Sequence, residues 1–220
     1  MAAHAGPKIE NDGLVFHIDP ANFKSFDGGS TCVDLTGTAS SGAITGNITL
    51  SSDNGGTFVY NSGQTNFIRF DITSTPIRTS SPLSLTAWIK YTSAGMLFSS
   101  GGYYGIWATG SNWYWNGAPN WISYTDAISP PTNAWFHLAF TFDGSTNPIC
   151  YLNGVGATST GTFTAPAPFV SNNITIGEYD VYQPYSQFGG SLGPISFYSK
   201  VLTQEEIDQS FNAYRGRFGV

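Results

Sequence analysis

The 220-residue sequence is poor in charged residues, which make up 10% of the chain against roughly 25% in an average soluble domain. Basic residues are the scarcer kind, since 8 Lys and Arg stand against 14 Asp and Glu and give a net charge of −6 at neutral pH. Positive charge drives binding to nucleic acids and to anionic membrane surfaces. We therefore expect neither a nucleic acid nor a membrane as partner.

Long apolar runs are also missing. The longest, around residues 134–142, contains His137 and is too short to cross a bilayer. The position of His137 between two apolar residues is typical of a structural histidine rather than a general base. Residues 1–12 lack the apolar segment of a secretory signal, so we expect assembly in a cytoplasm rather than secretion.

Cysteine is nearly absent. Cys32 and Cys150 are far apart in the sequence, and neither belongs to a Cys-x-x-Cys motif. Without a secretory signal, this spacing favours two free, buried thiols over a disulfide, and it does not support a zinc or redox site on cysteine.

Aromatic residues are abundant by contrast, at 15% of the chain, and 26 glycines and 12 prolines punctuate it at short intervals. Between these turn residues lie β-branched and aromatic runs that alternate with period 2, which predicts strands. Ten or more strands joined by short turns predict an all-β protein, an antiparallel two-sheet jelly-roll sandwich. The predicted strands cover residues 14–18, 57–60, 67–72, 84–91, 96–99, 103–108, 135–142, 149–153, 174–179 and 191–198.

One helix is predicted near the C-terminus. Thr203 followed by Glu206 forms a capping-box pattern at its start, and we expect Gly216 to end it. No internal linker or repeat is visible, so the prediction is an N-terminal arm over residues 1–12 and one domain over residues 13–220. The arm is expected to become ordered on docking.

Six segments, in their order along the chain, resemble the concanavalin A-like lectin/glucanase superfamily in its laminin-G-like branch. They are SLTAWI at 84–89, WFHLAFTFDG at 135–144, YLNG at 151–154, IG at 176–177, FGGSLGPI at 188–195 and LTQEEI at 202–207. The resemblance implies a jelly roll of two curved antiparallel sheets.

Five further segments are similar to lectin-like structural proteins of tailed bacteriophages, especially those of aquatic and cyanobacterial hosts. The segments are GLVFHIDPAN at 13–22, KS at 24–25, DLTG at 34–37, SSDNGG at 51–56 and FNAYRGRF at 211–218. Cys32 departs from that pattern at a position where Trp is usual.

That similarity implies a non-enzymatic accessory protein on the virion surface, such as a capsid decoration or cement protein or a small head or tail fibre. Its partners would be a capsid or tail protein and further copies of itself, with a trimer implied for a decoration protein. The alternative is an adhesin of a tail fibre or baseplate that binds host-surface glycan.

Hydrolysis is the sharpest enzymatic alternative, because glucanases of this superfamily carry Glu-x-Asp-x-x-Glu on one strand. Here Glu178 and Asp180 match, but Gln183 replaces the acid/base carboxyl group. Retaining hydrolysis needs two carboxyl groups about 5 Å apart. We therefore expect no catalytic activity, and no catalytic residue is assigned.

Calcium is the one cofactor considered. Related lectin-like domains hold Ca²⁺ on rim loops, and Glu178 with Asp180 resembles part of such a site, which loop carbonyl groups and a second segment, at Asn66 or Asp71, would complete. Since Ca²⁺ takes 6–8 oxygen ligands, two acids from one strand are not sufficient by themselves. Solvated acids or acceptors for loop N–H groups are the alternative.

Aromatic residues form the densest cluster of the chain. Their flat rings can cover the C–H face of a sugar, but they can equally fill the core or a subunit contact. Trp113 and Trp115 share one strand face and Tyr114 takes the other, so not all three can be core. The candidates for a glycan-binding or interface role are Tyr104, Trp107, Trp113, Tyr114, Trp115 and Trp121.

Overall fold

A computed structural model describes residues 8–63, 65–72, 77–78, 82–100, 104–109, 112–117, 120–123, 129–145, 148–158, 170–178 and 187–220. Two eight-stranded sheets face each other across one core, and the named strand pairs of this part of the chain are antiparallel. This is the predicted two-sheet sandwich with one C-terminal helix.

The first sheet has its longest strands at its centre, which are the most regular apolar runs of the sequence. In spatial order it contains β15 (Val155–Thr158), β14 (Ile149–Leu152), β13 (Trp135–Phe142), β8 (Leu83–Ser93), β18 (Gly189–Tyr198), β5 (Thr57–Tyr60) and the edge strand β4 (Thr49–Ser51). A further strand, β1 (Leu14–Ile18), pairs with β18.

The second sheet begins with the aromatic strands singled out in the sequence. In spatial order it contains β12 (Asn120–Ser123), β11 (Asn112–Gly117), β10 (Tyr104–Thr109), β9 (Gly95–Ser100), β17 (Asn173–Ile176), β6 (Phe67–Asp71), β3 (Gly42–Thr45) and β2 (Thr31–Cys32). A small separate ladder joins β7 (Ile77–Arg78) to β16 (Val170–Ser171).

The core between the sheets consists of alternate residues from each strand. Phe16 shows the packing, because its ring meets Phe70 of the facing sheet edge-on with centroids 4.8 Å apart and also contacts Phe197. Such edge-to-face pairs are preferred by the quadrupoles of the rings. Cys32 and Cys150 lie in this core as free thiols, which confirms that both are buried, and burial raises the pKa of Cys32 to about 12.

A helix, α1 (Gln204–Phe218), covers the outer face of the first sheet. The predicted capping box is confirmed, since the Thr203 hydroxyl accepts the Glu206 N–H and the Glu206 carboxylate accepts the Thr203 N–H. The predicted end at Gly216 is wrong. The helix continues until Gly219, whose φ of 70° takes the left-handed conformation of a C-cap, because Phe218 packs its ring on the sheet.

Arg217 ties the end of this helix to two remote segments. Its guanidinium donates to both carboxylate oxygens of Asp19, at 2.9 and 3.0 Å, and to the backbone oxygens of Asn54 and Gly56. Asn54 in turn donates to the backbone oxygen of Arg217. A planar fork of donors suits this arrangement, in which one side chain joins three segments.

The N-terminal residues that the structure describes lie against this helix region. The backbone oxygen of Lys8 accepts from Gln209, and Asp12 pairs with Lys200 at 2.8 Å. Residues 1–7 of the predicted arm lie outside the described residues. No helix of the described chain is long and apolar enough to cross a membrane.

Candidate functional site

The aromatic strands of the second sheet place two of the predicted rings opposite each other. Trp107 of β10 pairs directly with Tyr114 of β11, and both side chains are half-buried. Side chains of directly opposed residues on neighbouring strands point to the same face. Since Trp113 and Ala108 point into the core, the Trp107–Tyr114 pair lies on the outer face of the sheet.

Trp113 fills the core, which is the alternative role that the sequence left open for these aromatic residues. It is fully buried in the core, where its ring meets Tyr91 and Phe136 edge-on with centroids 5.8 and 5.7 Å apart. The proposed glycan or interface role of Trp113 is therefore corrected, because no face of its ring is open to a ligand.

The structure places the remaining aromatic candidates only by their strand register. Trp115 lies opposite Ile106 on one side and Ile122 on the other, and Trp121 lies opposite Asn116. Tyr104 begins β10. The side chains of Tyr104, Trp115 and Trp121 lie outside the described residues, so their assignment stays a prediction.

Glu178 lies just beyond the end of β17, in a buried position rather than at an open rim. Neither of its carboxylate oxygens has a hydrogen-bond partner within the described residues. Burial raises the pKa of Glu178, and the polar side chain of nearby Gln187 partly offsets that rise. A carboxyl group in such surroundings favours its protonated form.

The residues predicted to bind calcium are only partly brought together. Asn66 is buried too, but its side-chain oxygen accepts the Asn47 N–H at 2.6 Å and its amide donates to the backbone oxygen of Asn61 at 2.8 Å. Asp180 and Gln183 lie outside the described residues. Among the described residues, no group of three or more His, Cys, Asp or Glu could hold a metal ion.

A groove that the sequence did not indicate lies at the other edge of the sandwich. It has a volume of about 380 Å³ and runs between residues 20–28 and the segment from β4 to Gly56. Phe23 and Leu50 line it, and their side chains are 78% and 46% exposed. The one sequence signal was Phe23 itself, an aromatic residue in a polar loop without apolar periodicity.

These elements are found in known proteins. A family model described as the concanavalin A-like lectin/glucanases superfamily, of laminin G type, matches residues 62–208. The chain therefore belongs to this superfamily. No curated protein matches the sequence significantly.

Among solved structures, similar ones include a domain of an arabinanase and the binding domains of botulinum neurotoxins. Domain 4 of an extracellular arabinanase from Geobacillus stearothermophilus, in complex with arabinotriose, has 22% identity and a TM-score of 0.67, and the match covers 93% of this chain and 100% of that domain. The binding domain of botulinum neurotoxin DC in complex with SialylT has 15% identity and a TM-score of 0.68, with 92% and 52% covered.

A second structure of the same neurotoxin domain, in complex with rat synaptotagmin II, has 15% identity and a TM-score of 0.69, again with 92% and 52% covered. This chain thus spans about half the length of the neurotoxin binding domains and the full length of the arabinanase domain. At these identities the likeness establishes the fold.

Proposed function

We propose that this chain is a non-catalytic carbohydrate-binding domain. One observation carries the proposal: Trp107 and Tyr114 lie side by side, half-buried, on the outer face of the second sheet. Two aromatic side chains at paired positions on one sheet face offer apolar ring surface of the kind that sugar C–H faces cover.

The comparisons support this proposal over a purely structural role. A lectin-type family model matches the chain, and two of the similar structures were solved with saccharide-named ligands. The sequence resemblance to phage proteins adds the biological setting. In that setting the domain is a host-surface adhesin of a virion, and the decoration or cement role rests on the sequence resemblance alone.

Absence of catalysis is part of the proposal. Gln183 replaces the acid/base carboxyl group of the hydrolase motif, and an amide cannot donate or accept the proton that bond cleavage requires. Incubation of the purified protein with glucans and arabinans is expected to release no reducing ends. Sustained release would overturn this part of the proposal.

The test of binding is a glycan array probed with the wild-type protein and with Trp107→Ala, Trp107→Phe and Tyr114→Ala variants. We expect Trp107→Ala to weaken binding about ten-fold and Trp107→Phe to retain most of it, because a ring remains. Val155→Ala is the matched control, since Val155 is an exposed apolar residue in the edge strand β15 of the other sheet.

Absence of glycan binding by the wild-type protein would overturn the proposed function. Gold labelling of purified particles with an antibody to this chain separates the two virion settings. Label on the tail supports adhesion, and label over the capsid surface contradicts it.

A further inference from the structure

The groove between residues 20–28 and the β4–Gly56 segment has walls that are held in place before any ligand arrives. In the first wall, the Asn22 backbone oxygen accepts the N–H groups of Ser25 and Phe26, at 2.8 and 2.9 Å. The Asn22 side-chain oxygen accepts the Lys24 N–H at 3.0 Å. These bonds fix a loop that has no strand or helix of its own.

Arg217 joins the two walls. It donates to Asp19 at the base of the first wall and to Asn54 and Gly56 in the second. Ala21 is attached to the same Asp19 carboxylate through its N–H at 3.0 Å. A site whose walls are clamped in this way loses little freedom when a ligand binds, and this lowers the cost of binding.

The lining of the groove is mostly apolar, with polar side chains at Asp27, Ser51 and Ser52. Phe23 is largely exposed, and Phe26 lies beside it, backed edge-on by the core ring of Phe58 at 5.0 Å. Asp27 accepts the Gly29 N–H through one oxygen at 3.0 Å, which holds the carboxylate in place. Its second oxygen and the Ser52 hydroxyl have no hydrogen-bond partner among the described residues.

This combination selects one class of ligand. A ring with C–H groups on its face and hydroxyl groups at its edge can stack on Phe23 and donate to the Asp27 carboxylate. Asp27 and the net charge of −6 disfavour an anionic ligand. The volume of about 380 Å³ lies near the lower end for ligand pockets, which suits one or two sugar rings rather than a long chain.

We propose that this groove is a second binding site, for a neutral sugar ring, in which Phe23 provides the stacking surface and Asp27 accepts a sugar hydroxyl. The proposal rests on the proposed carbohydrate-binding function. It is distinct from the Trp107–Tyr114 surface, because the groove lies at the edge strand β4 of the first sheet and that surface lies on the second sheet.

The test uses the full chain and ligand-observed NMR titration with unmodified neutral mono- and disaccharides of glucose, galactose, arabinose and N-acetylglucosamine, and with sialyllactose as the anionic arm. Five single variants and one double variant are compared: Phe23→Ala, Asp27→Asn, Trp107→Ala, Val155→Ala, Asp143→Asn and Phe23→Ala with Trp107→Ala. Asp143→Asn is the matched control for Asp27→Asn, because Asp143 holds the N–H two residues ahead in the same way, at 2.8 Å.

We expect the Trp107→Ala protein to keep a class of neutral-sugar binding that Phe23→Ala then weakens about ten-fold. Asp27→Asn should weaken it as well, whereas Val155→Ala and Asp143→Asn should not, and sialyllactose should bind more weakly than neutral lactose. Since Phe23 is exposed, its variant should keep the wild-type melting temperature.

The two proposals fail in different ways. If wild type binds sugars and Phe23→Ala and Asp27→Asn leave binding unchanged, the groove is not a sugar site and the proposed function stands. If Phe23→Ala removes concentration-dependent self-association instead, the groove is a contact between copies and the inference is overturned. If wild type binds no sugar, both proposals fall.

Discussion

The two outer faces of the sandwich carry the same kind of side chain in two different situations. On the first sheet, Trp88 is fully buried and stacks on Phe218 of α1, with ring centroids 4.5 Å apart and planes at 15°. On the second sheet, Trp107 and Tyr114 are only half-buried. Residue type alone therefore does not assign a ring to binding, because a covering element decides whether the ring stabilises the fold or meets a ligand.

The outer face of the first sheet is covered by α1 and is called the covered face. It also holds ionisable groups in an uncharged state. His137 is fully buried between Trp88 and Phe211, and burial lowers its pKa to about 3. His17, on the same face, lies 2.8 Å from the Ser196 hydroxyl, and burial lowers its pKa too. The stability of the covered face therefore depends on pH.

The largest effect is expected at Trp88. Trp88→Ala leaves a cavity beneath α1, and loss of a buried aromatic side chain costs about 3–5 kcal/mol of the free energy of unfolding. Urea denaturation followed by circular dichroism measures it. The control Val155→Ala should stay within about 0.5 kcal/mol of wild type. A loss below about 1 kcal/mol for Trp88→Ala would mean that α1 does not close this face.

The second-largest effect is expected from acid, which should lower the free energy of unfolding through the buried His137 on the covered face. The unfolded chain protonates His137 near its ordinary pKa of 6.5, whereas the folded chain does so only near 3. The contribution of His137 to the free energy of unfolding is therefore fully present above pH 6.5. It is lost as the pH drops towards 3, by up to about 1.4 kcal/mol per pH unit.

His137→Gln removes that contribution, so its curve of stability against pH should be flatter between pH 7 and 5. His17, whose pKa burial lowers, and Glu178, whose pKa burial raises, contribute to the remaining slope with opposite signs. Denaturant titrations across this range provide the comparison. Parallel curves for the two proteins would contradict the assignment.

The smallest effect on stability is expected on the outer face of the second sheet, at Tyr114. Tyr114→Ala removes one member of a cross-strand pair, and such pairs contribute about 0.2–1 kcal/mol. The same variant should bind glycan about ten-fold more weakly. Its effect on affinity is therefore large while its effect on the free energy of unfolding is small. A stability loss as large as that of Trp88→Ala would assign Tyr114 to the core and break the comparison.

Much of the fold follows from local patterns in the sequence. The strands Leu14–Ile18, Thr57–Tyr60 and Trp135–Phe142 have the predicted bounds, since period-2 alternation and flanking turn residues are local signals. The helix end was not predictable in this way. Glycine at 216 disfavours helix by about 1 kcal/mol, but the burial of Phe218 against Trp88 outweighs it, and that contact joins residues 130 positions apart in the sequence.

The candidate sites were less predictable, because they too depend on contacts between residues far apart in the sequence. Alternation showed that Trp113 and Tyr114 point to opposite faces, but only the packing of the two sheets shows which face is the core. The groove combines a loop near residue 23, a strand near residue 50 and a contact from Arg217. No spacing in the sequence signals such a meeting.

The pairing of β1 with β18 has a consequence for how this domain folds. Residues 14–18 hydrogen-bond with residues 195–198, and β8 at the centre of the sheet pairs with the same distant strand. Contacts between such distant parts of a chain form slowly. We therefore expect completion of the first sheet to limit the rate of folding, and a chain in which this sheet is incomplete exposes unpaired β-edges.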